Sequence, residues 1–342
     1  MPSIAVSAPG KLVITGEYAV IDGASAIALA VNRRSRVSVS PTIGQSVLEV
    51  TTSGAERFPF TWQADGSLKF TDNDPAERGE LLRVLLKQLV GRLPAALPDV
   101  VISIDSSEFY LAADGQKLGL GSSAAVCVSL TAALHALFGL PDDLQQLCYD
   151  VHREFQDGKG SGIDVATSLH GGVIRFQLDA MGPPKCEALS WPQGLYMLPV
   201  WTGHAASTGQ MLQRLDGLRE SSPAMYLNLI GELTQIAGCF QAVWQRQNVP
   251  ELLELLVTYG FGLNRLDEAA AVGIYSAEHV DFQHRAAAIG AVYKPSGAGG
   301  GDFGLVFSDS SAKIEQFAAD LDSAVMLPDW SPTVPGVELR TD

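Results

Sequence analysis

The sequence predicts an α+β protein of two domains. Short β-type runs separated by turns fill the first hundred residues, helical and strand patterns alternate in the middle, and long helical patterns with late strands follow. That order is typical of two α+β domains, and 342 residues are enough to build them. Prolines and glycines accumulate after Gln177, so the boundary is predicted between residues 1–180 and 181–342.

The strands are predicted from β-branched and apolar runs bounded by turn residues. In order they cover 4–6, 12–15, 36–40, 47–51, 60–62, 68–70, 100–104, 173–176, 195–201 and 303–307. The turn at Pro9 and Gly10 separates the first two runs. The small apolar segment 24–31 fits either a strand or a buried helix.

The helices are predicted from apolar residues that recur every three or four positions. They cover 77–93, 144–156, 164–169, 209–215, 224–247, 250–266, 277–288 and 311–324, with a further helix that begins at Ser122 or Ser123 as N-cap and stops before Gly139. The first part of that helix is apolar on all sides, which predicts burial.

The composition and charge of the chain argue against several classes of function. The net charge is −15, with 38 acidic and 23 basic residues, which argues against a nucleic-acid binder that relies on phosphate neutralisation. The N-terminal residues lack the pattern of a signal peptide, no apolar run has membrane-spanning length, and the four cysteines lack metal-type spacing. We therefore expect a cytoplasmic protein that binds no membrane.

The first candidate site is the glycine-rich stretch from Lys117 into the helix that is predicted to begin at Ser122 or Ser123. Gly119 and Gly121 lead into the predicted helix N-terminus, whose free N–H groups and positive dipole end suit a phosphate. A tight turn before a core helix is an equally good interpretation of this stretch alone. A dinucleotide-binding turn is less consistent, because ADGQK rather than an apolar strand precedes it, and the chain contains no P-loop motif.

Three glycine-rich segments occur in the chain: 8–11 (APGK), 119–123 (GLGSS) and 296–301 (SGAGGG), with a further patch at 158–162. In this order and at these positions they resemble the three motifs of the GHMP kinases. The resemblance implies an N-terminal domain like domain 2 of ribosomal protein S5, which binds ATP, and a ferredoxin-like C-terminal domain. It also implies ATP and Mg²⁺ as cofactors and an active site in the cleft between the domains.

The resemblance implies roles for individual residues. Lys11 and Asp164 would be catalytic, with Lys11 steadying the transferred phosphoryl group and Asp164 acting as base or by positioning the acceptor. Mg²⁺ would be held by Ser123 and Glu154. The ATP phosphates would be wrapped by Lys117, Gly119, Leu120, Gly121, Ser122, Ser123 and Ala124. Without the motifs, Lys11 fits a surface lysine, Asp164 a helix-stabilising carboxylate and Glu154 a solvated one.

Substrate contacts are implied for residues near these motifs: Glu17, Tyr18, Ser161, Gly162, Ser207, Thr208, Ser296, Gly297, Ala298 and Gly299. Within the family, the segments 158–172, 201–208 and 294–302 are most similar to those of phosphomevalonate kinases, which implies a small phosphorylated acceptor. Phe303 departs from the small residue or cysteine that is frequent there. A mevalonate kinase, another sugar or alcohol kinase, or a non-catalytic nucleotide-binding homologue remain alternatives. The protein would be a monomer or a homodimer.

Other polar residues carry weaker signals. The six histidines have no metal-type spacing, and His279 and His284 are expected to be solvated. The run of Arg33, Arg34 and Arg36 fits a solvated strand edge, although it could attract an anionic substrate.

Overall fold

The computed structural model describes residues 2–63, 65–71, 75–94, 96–111, 115–179, 182–319, 321, 326–327 and 329–341. Within these residues it contains twelve strands and nine α-helices, and the α+β prediction is confirmed. The strands are β1 (Ile4–Thr15), β2 (Ala26–Pro41), β3 (Ser46–Thr51), β4 (Ala55–Trp62), β5 (Leu68–Phe70), β6 (Val100–Asp105), β7 (Val173–Gln177), β8 (Lys185–Leu189), β9 (Tyr196–Trp201), β10 (Val292–Pro295), β11 (Phe303–Ser308) and β12 (Glu338–Thr341). The helices are α1 (Glu77–Leu89), α2 (Ser122–Phe138), α3 (Leu144–Phe155), α4 (Ile163–His170), α5 (Thr208–Ser221), α6 (Pro223–Gln245), α7 (Val249–Ala270), α8 (Ala277–Ala288) and α9 (Ser311–Ala319).

A nine-stranded sheet organises the first half of the chain. Its main path is β12-β1-β2-β6-β3-β4-β5, and β7 and β8 form a branch on β2. The long strand β2 supports both parts, since its first residues pair with β7 and its last with β6. The segment 24–31, ambiguous in the sequence, therefore belongs largely to a strand.

Strand β1 is continuous, where the sequence predicted two runs. Pro9 and Gly10 do not end it; they produce a register shift against β2 and the strand resumes. A local shift of this kind bends a strand without breaking the sheet. Lys11 consequently lies within the strand, next to the irregularity.

Helix α2 lies in the core of this half and contacts β1 and β2. Its side chains Val128, Leu130 and Leu134 are fully buried, and each contributes about 1.5–3 kcal/mol of burial free energy. The helix begins and ends where the sequence predicted, with left-handed Gly139 as its C-cap. This packing fixes the position of the helix N-terminus.

The second half contains a three-stranded antiparallel sheet, β10-β11-β9, with helices α5 to α9 around it. The strands β8, β10 and β12 were not predicted. The predicted end of the last helix falls on residues 320 and 322–325, which lie outside the described residues. No helix in the described part of the chain is both long and apolar enough to cross a membrane.

The division into domains 1–180 and 181–342 stays a prediction, and its boundary residues 180 and 181 lie outside the described part. Two strands from beyond that boundary pair within the large sheet, β8 with β7 and β12 with β1. Arg34 stabilises this return of the chain: its guanidinium donates to the carbonyls of Pro335 and Gly336 and to Ser7. Arg34 is thus buried, and the expectation of a solvated side chain was wrong for it.

Candidate active site

The N-terminus of α2 is open to a pocket. Gly119 and Gly121 adopt left-handed conformations, with φ of 73° and 78°, which glycine accepts without steric cost. Gly121, and not one of the serines, is the N-cap, and no side chain caps the helix. Because the first intrahelical bond is donated by Ala125 to the Gly121 carbonyl, the N–H groups before it are available to an anion.

Lys11 lies beside this loop. Its backbone N–H donates to the Leu120 carbonyl at 2.8 Å, so β1 and the loop are fastened together. A Cβ atom on Gly121 would lie 3.2 Å from Lys11 Cγ, and one on Gly297 would lie 3.4 Å from Lys11 Nζ. The Lys11 side chain therefore extends from the loop at α2 to the third glycine-rich segment.

Asp164, in the first turn of α4, also lies close to this loop. Gly162 in a left-handed conformation is the N-cap of that helix, and Asp164 Oδ1 accepts the N–H of Val165 at 2.9 Å. A Cβ on Gly121 would lie 3.8 Å from Asp164 Cβ. The structure thus brings Lys11, Gly121 and Asp164 together.

His152 connects two of the predicted residues, and the sequence analysis did not single it out. The ring is buried on α3, with Nε2 3.4 Å from Ser123 Oγ and Nδ1 3.9 Å from Asp164 Oδ1. An imidazole between a hydroxyl and a carboxylate limits the orientations of both. A single histidine on an amphipathic helix gives no sequence signal for such a contact.

Glu17 is buried at the edge of the pocket and forms an ion pair with Lys294, at 2.5 Å between Oε1 and Nζ. Burial raises the pKa of Glu17, and the charge of Lys294 opposes this rise only in part. For Lys294 burial acts in the other direction and lowers the pKa of the ammonium. Lys294 also donates to the Pro295 carbonyl. The neighbouring Tyr18, with φ of 64°, donates its hydroxyl to Ala298. Both residues therefore connect the segment after β1 to the third glycine-rich segment.

The pocket has a volume of about 240 Å³ and is lined by residues from both halves of the chain. Most of the predicted site residues belong to its lining: Lys11, Glu17, Tyr18, Lys117, Gly119, Gly121, Ser122, Ser123, Ser161, Asp164, Thr208, Ser296, Gly297 and Ala298. The hydroxyl of Ser296 accepts a hydrogen bond from the N–H of Val13 and donates one to the Val13 carbonyl, each at 2.9 Å. It therefore also links β1 to the third glycine-rich segment.

Six predicted residues, Glu154 among them, do not line this pocket. Leu120 and Ala124 are buried in the core behind the loop. Gly162 approaches Tyr149, Gly299 packs on Ile274, and Ser207 is the exposed N-cap residue of α5.

Glu154 also lies outside the lining, which speaks against the predicted metal-ligand role. Its two carboxylate oxygens accept from Lys87 Nζ, at 2.5 Å, and from Gln88 on α1. The hydrogen bond from Lys87 lowers the pKa of this carboxyl. Glu154 therefore connects α3 with α1, and among the described residues no group of three or more His, Cys, Asp or Glu side chains is placed to hold a metal.

Two more residues near the pocket were missed. Asp302 belongs to the lining and follows the third glycine-rich segment directly. His279 is fully buried, so the expectation that it is solvated was wrong. Its Nε2 bonds the Gly301 carbonyl at 3.0 Å and its Nδ1 the Tyr293 hydroxyl at 2.6 Å. Since a carbonyl only accepts, Nε2 carries the hydrogen and Tyr293 donates to Nδ1.

Solved structures with the same fold include a Lin0012 protein from Listeria innocua, with a TM-score of 0.84 and 23% identity over 99% of both chains. The phosphomevalonate kinase of Streptococcus pneumoniae, solved with phosphomevalonate and AMPPNP, gives a TM-score of 0.72 at 19% identity over 94% of this chain and 99% of that one. These likenesses show the fold.

Sequence comparison goes further. Residues 85–172 match the family described as the GHMP kinases N terminal domain. A phosphomevalonate kinase from Streptomyces sp. (strain CL190) is 31% identical, with 97% of this chain and 96% of the relative covered. A mevalonate kinase from Aeropyrum pernix is 29% identical over 64% of this chain and 65% of the relative. With this fold, and with a relative this similar over nearly its whole length, the chain belongs to the GHMP kinase family.

Proposed function

We propose that the protein is an ATP-dependent kinase that transfers the γ-phosphoryl group of ATP to (R)-5-phosphomevalonate, giving 5-diphosphomevalonate and ADP. The observation that carries the proposal is the 31% identity to a phosphomevalonate kinase across 97% of the chain. The pocket supports it, because Lys11, Lys117 and the open N-terminus of α2 meet there.

The nucleotide fits the loop at α2. No side chain caps the helix, and its first residues, Ser122 and Ser123, line the pocket. We infer that the N–H groups of this helix N-terminus hold the ATP phosphates, with Lys117 as a further cation. Phosphoryl transfer depends mainly on such positioning and charge neutralisation.

In the transfer step an oxygen of the acceptor phosphate forms a bond to the γ-phosphorus, and the bond from that phosphorus to the β,γ-bridging oxygen breaks. Lys11 would stabilise the charge on the transferred group from between the two glycine-rich segments. Asp164 would orient the acceptor. A phosphate acceptor is already largely ionised at neutral pH, so we propose that Asp164 acts by positioning more than as a base.

Mg²⁺ is proposed to accompany ATP and to neutralise charge on its phosphates. It commonly keeps several waters and takes only one or two protein ligands beside phosphate oxygens. The Ser123 hydroxyl, in the first turn of α2 at the pocket, is the residue that we propose for it.

A screen of acceptors with Mg·ATP, read by coupled ADP release, tests the function. We expect turnover of phosphomevalonate well above that of mevalonate, homoserine and sugars. Turnover of mevalonate alone would favour the second candidate, a mevalonate kinase, which the similarity to the Aeropyrum pernix enzyme supports. Binding of ATP with no turnover of any acceptor would indicate a non-catalytic homologue.

A further inference from the structure

Asp302 has a left-handed backbone. It follows the third glycine-rich segment directly and adopts φ of 54°. Aspartate is among the few residues other than glycine that adopt this region readily. Neighbouring Gly299, Gly300 and Gly301 meet the same need with glycine, so a side chain at position 302 calls for an explanation.

One set of contacts ties Asp302 to the loop between β9 and α5. Its Oδ1 accepts the N–H of Ala206 at 3.0 Å. Its backbone N–H donates to the His204 carbonyl at 2.8 Å, and its carbonyl accepts from Thr202 at 2.9 Å. These three bonds fix the loop that leads to Thr208 in the pocket lining.

The other side of Asp302 faces the loop at α2. A Cβ atom on Gly119 would lie 1.9–2.3 Å from the three carboxyl atoms of Asp302, so the carboxylate in this position leaves no room for a side chain at position 119. The carboxylate therefore lies directly against the backbone that we propose holds the ATP phosphates. Gly119 is required here as much for Asp302 as for a ligand.

A carboxylate in an anion-binding pocket weakens anion binding unless cations compensate for it. Two lysines line the same pocket, Lys11 and Lys117. Burial raises the pKa of Asp302, while the Ala206 N–H and the charges of these two lysines oppose that rise. The geometry agrees, since Asp302 lies against Gly119 and Lys11 against Gly121, two residues along the same loop, and all three charged residues line one pocket.

We infer that Asp302 is a positioning residue, whose carboxylate holds the Lys11 and Lys117 side chains toward the loop at α2 and fastens the loop 202–206 to the same point. The inference rests on the proposed phosphoryl transfer. The negative charge of Asp302 lowers the affinity of the pocket for phosphates, but it places the two lysines that act on the transferred group. Removal of its charge should therefore impair turnover without impairing nucleotide binding.

The test is Asp302→Asn in the full-length protein. Asparagine keeps the shape and the acceptor for Ala206, and it tolerates a left-handed backbone well. We expect kcat with the accepted acceptor to fall by about 10-fold or more, while the Kd of Mg·AMPPNP, measured by calorimetry, stays equal or becomes up to about 10-fold tighter. A role in packing alone would instead weaken nucleotide binding together with turnover.

Asp309→Asn is the matched control. This exposed aspartate lies at the other end of β11 and pairs only with Lys313, at 3.4 Å, among the ion pairs of the described residues. It should leave both quantities unchanged. Asp302→Gly is the second variant, because glycine accepts the left-handed backbone without steric cost and so folds even if asparagine does not. It should lower kcat at least as much as Asp302→Asn.

A kcat within about twofold of the unmodified protein in either Asp302 variant, or a Kd that weakens by more than about fivefold, would overturn the inference. If the unmodified protein turns over no acceptor, the proposed function fails, and the nucleotide measurement still decides. Tighter Mg·AMPPNP binding by Asp302→Asn would then support the inference that the carboxylate lies beside the bound phosphates. Equal or weaker binding would overturn that inference.

Discussion

Replacing Lys294 with methionine should lower the free energy of unfolding by about 3–5 kcal/mol, because it leaves the carboxylate of Glu17 buried without its cation. The side-chain exposures of Lys294 and Glu17 are 0% and 2%, so water cannot take over the role of the ammonium. Methionine has a similar length and no charge, which keeps the packing term small.

The double variant Glu17→Gln/Lys294→Met separates the charge from the packing. It should recover most of the lost stability, since replacing both charges of a buried pair is often neutral or stabilising. The exposed pair Lys313–Asp309, with side-chain exposures of 37% and 55%, supplies the control. Lys313→Met should cost at most about 1 kcal/mol.

The stability loss in Lys294→Met should depend on pH. Burial already raises the pKa of Glu17 above its ordinary value of 4.5, and without the lysine it rises further. Between pH 4.5 and the raised pKa of the folded variant, Glu17 is protonated in the folded state and ionised in the unfolded state. The stability of the variant therefore falls as pH increases through this window. The variant should be closest to the unmodified protein near pH 4.5 and furthest from it at neutral pH.

Urea unfolding followed by tryptophan fluorescence and circular dichroism at several pH values measures this. A Lys294→Met protein within 1 kcal/mol of the unmodified one at pH 7, as small as an exposed ion pair, would refute the reasoning. So would a double variant that is no more stable than the single one.

Three further predictions concern the pocket. Gly121→Ala should weaken Mg·AMPPNP binding by about 10-fold or more, as its Cβ would lie 3.2 Å from Lys11 Cγ in a left-handed backbone; unchanged affinity in calorimetry would contradict the assigned loop. Glu154→Gln should leave the Mg²⁺ dependence of turnover within about twofold; a large rise in the Mg²⁺ requirement would restore it as a ligand. Burial lowers the pKa of His279 to about 4, so the folded state binds fewer protons than the unfolded state and about 3 kcal/mol of stability should be lost as pH falls from 6.5 to 4; His279→Gln, which can still donate to Gly301, should lose clearly less in the same urea titration.

The sequence was informative about the candidate site where the chemistry is local. Glycine at positions 119 and 121 reports a backbone conformation that few other residues adopt, and the structure has both residues left-handed beside Lys11. The helix after them was also predictable, because its apolar residues and Gly139 define its length.

What the sequence did not reveal are contacts between distant segments. Glu17 and Lys294 are 277 positions apart, and nothing in the local pattern around either distinguishes a buried ion pair from two surface charges. The same applies to His279, because nothing in the sequence around it distinguishes a buried ring from a solvated one. Asp302 was not predicted as a site residue, and its contacts with Gly119 and Ala206 are what identify its position at the pocket.

The pairing of β12 with β1 has a consequence for the order in which the protein folds. Ile4 is aligned with Thr341, so one neighbour of the strand that carries Lys11 becomes available only after the helices of the second half have been synthesised. Contacts between residues so far apart in sequence slow folding. We therefore expect the pairing of β12 with β1 to slow the completion of the large sheet.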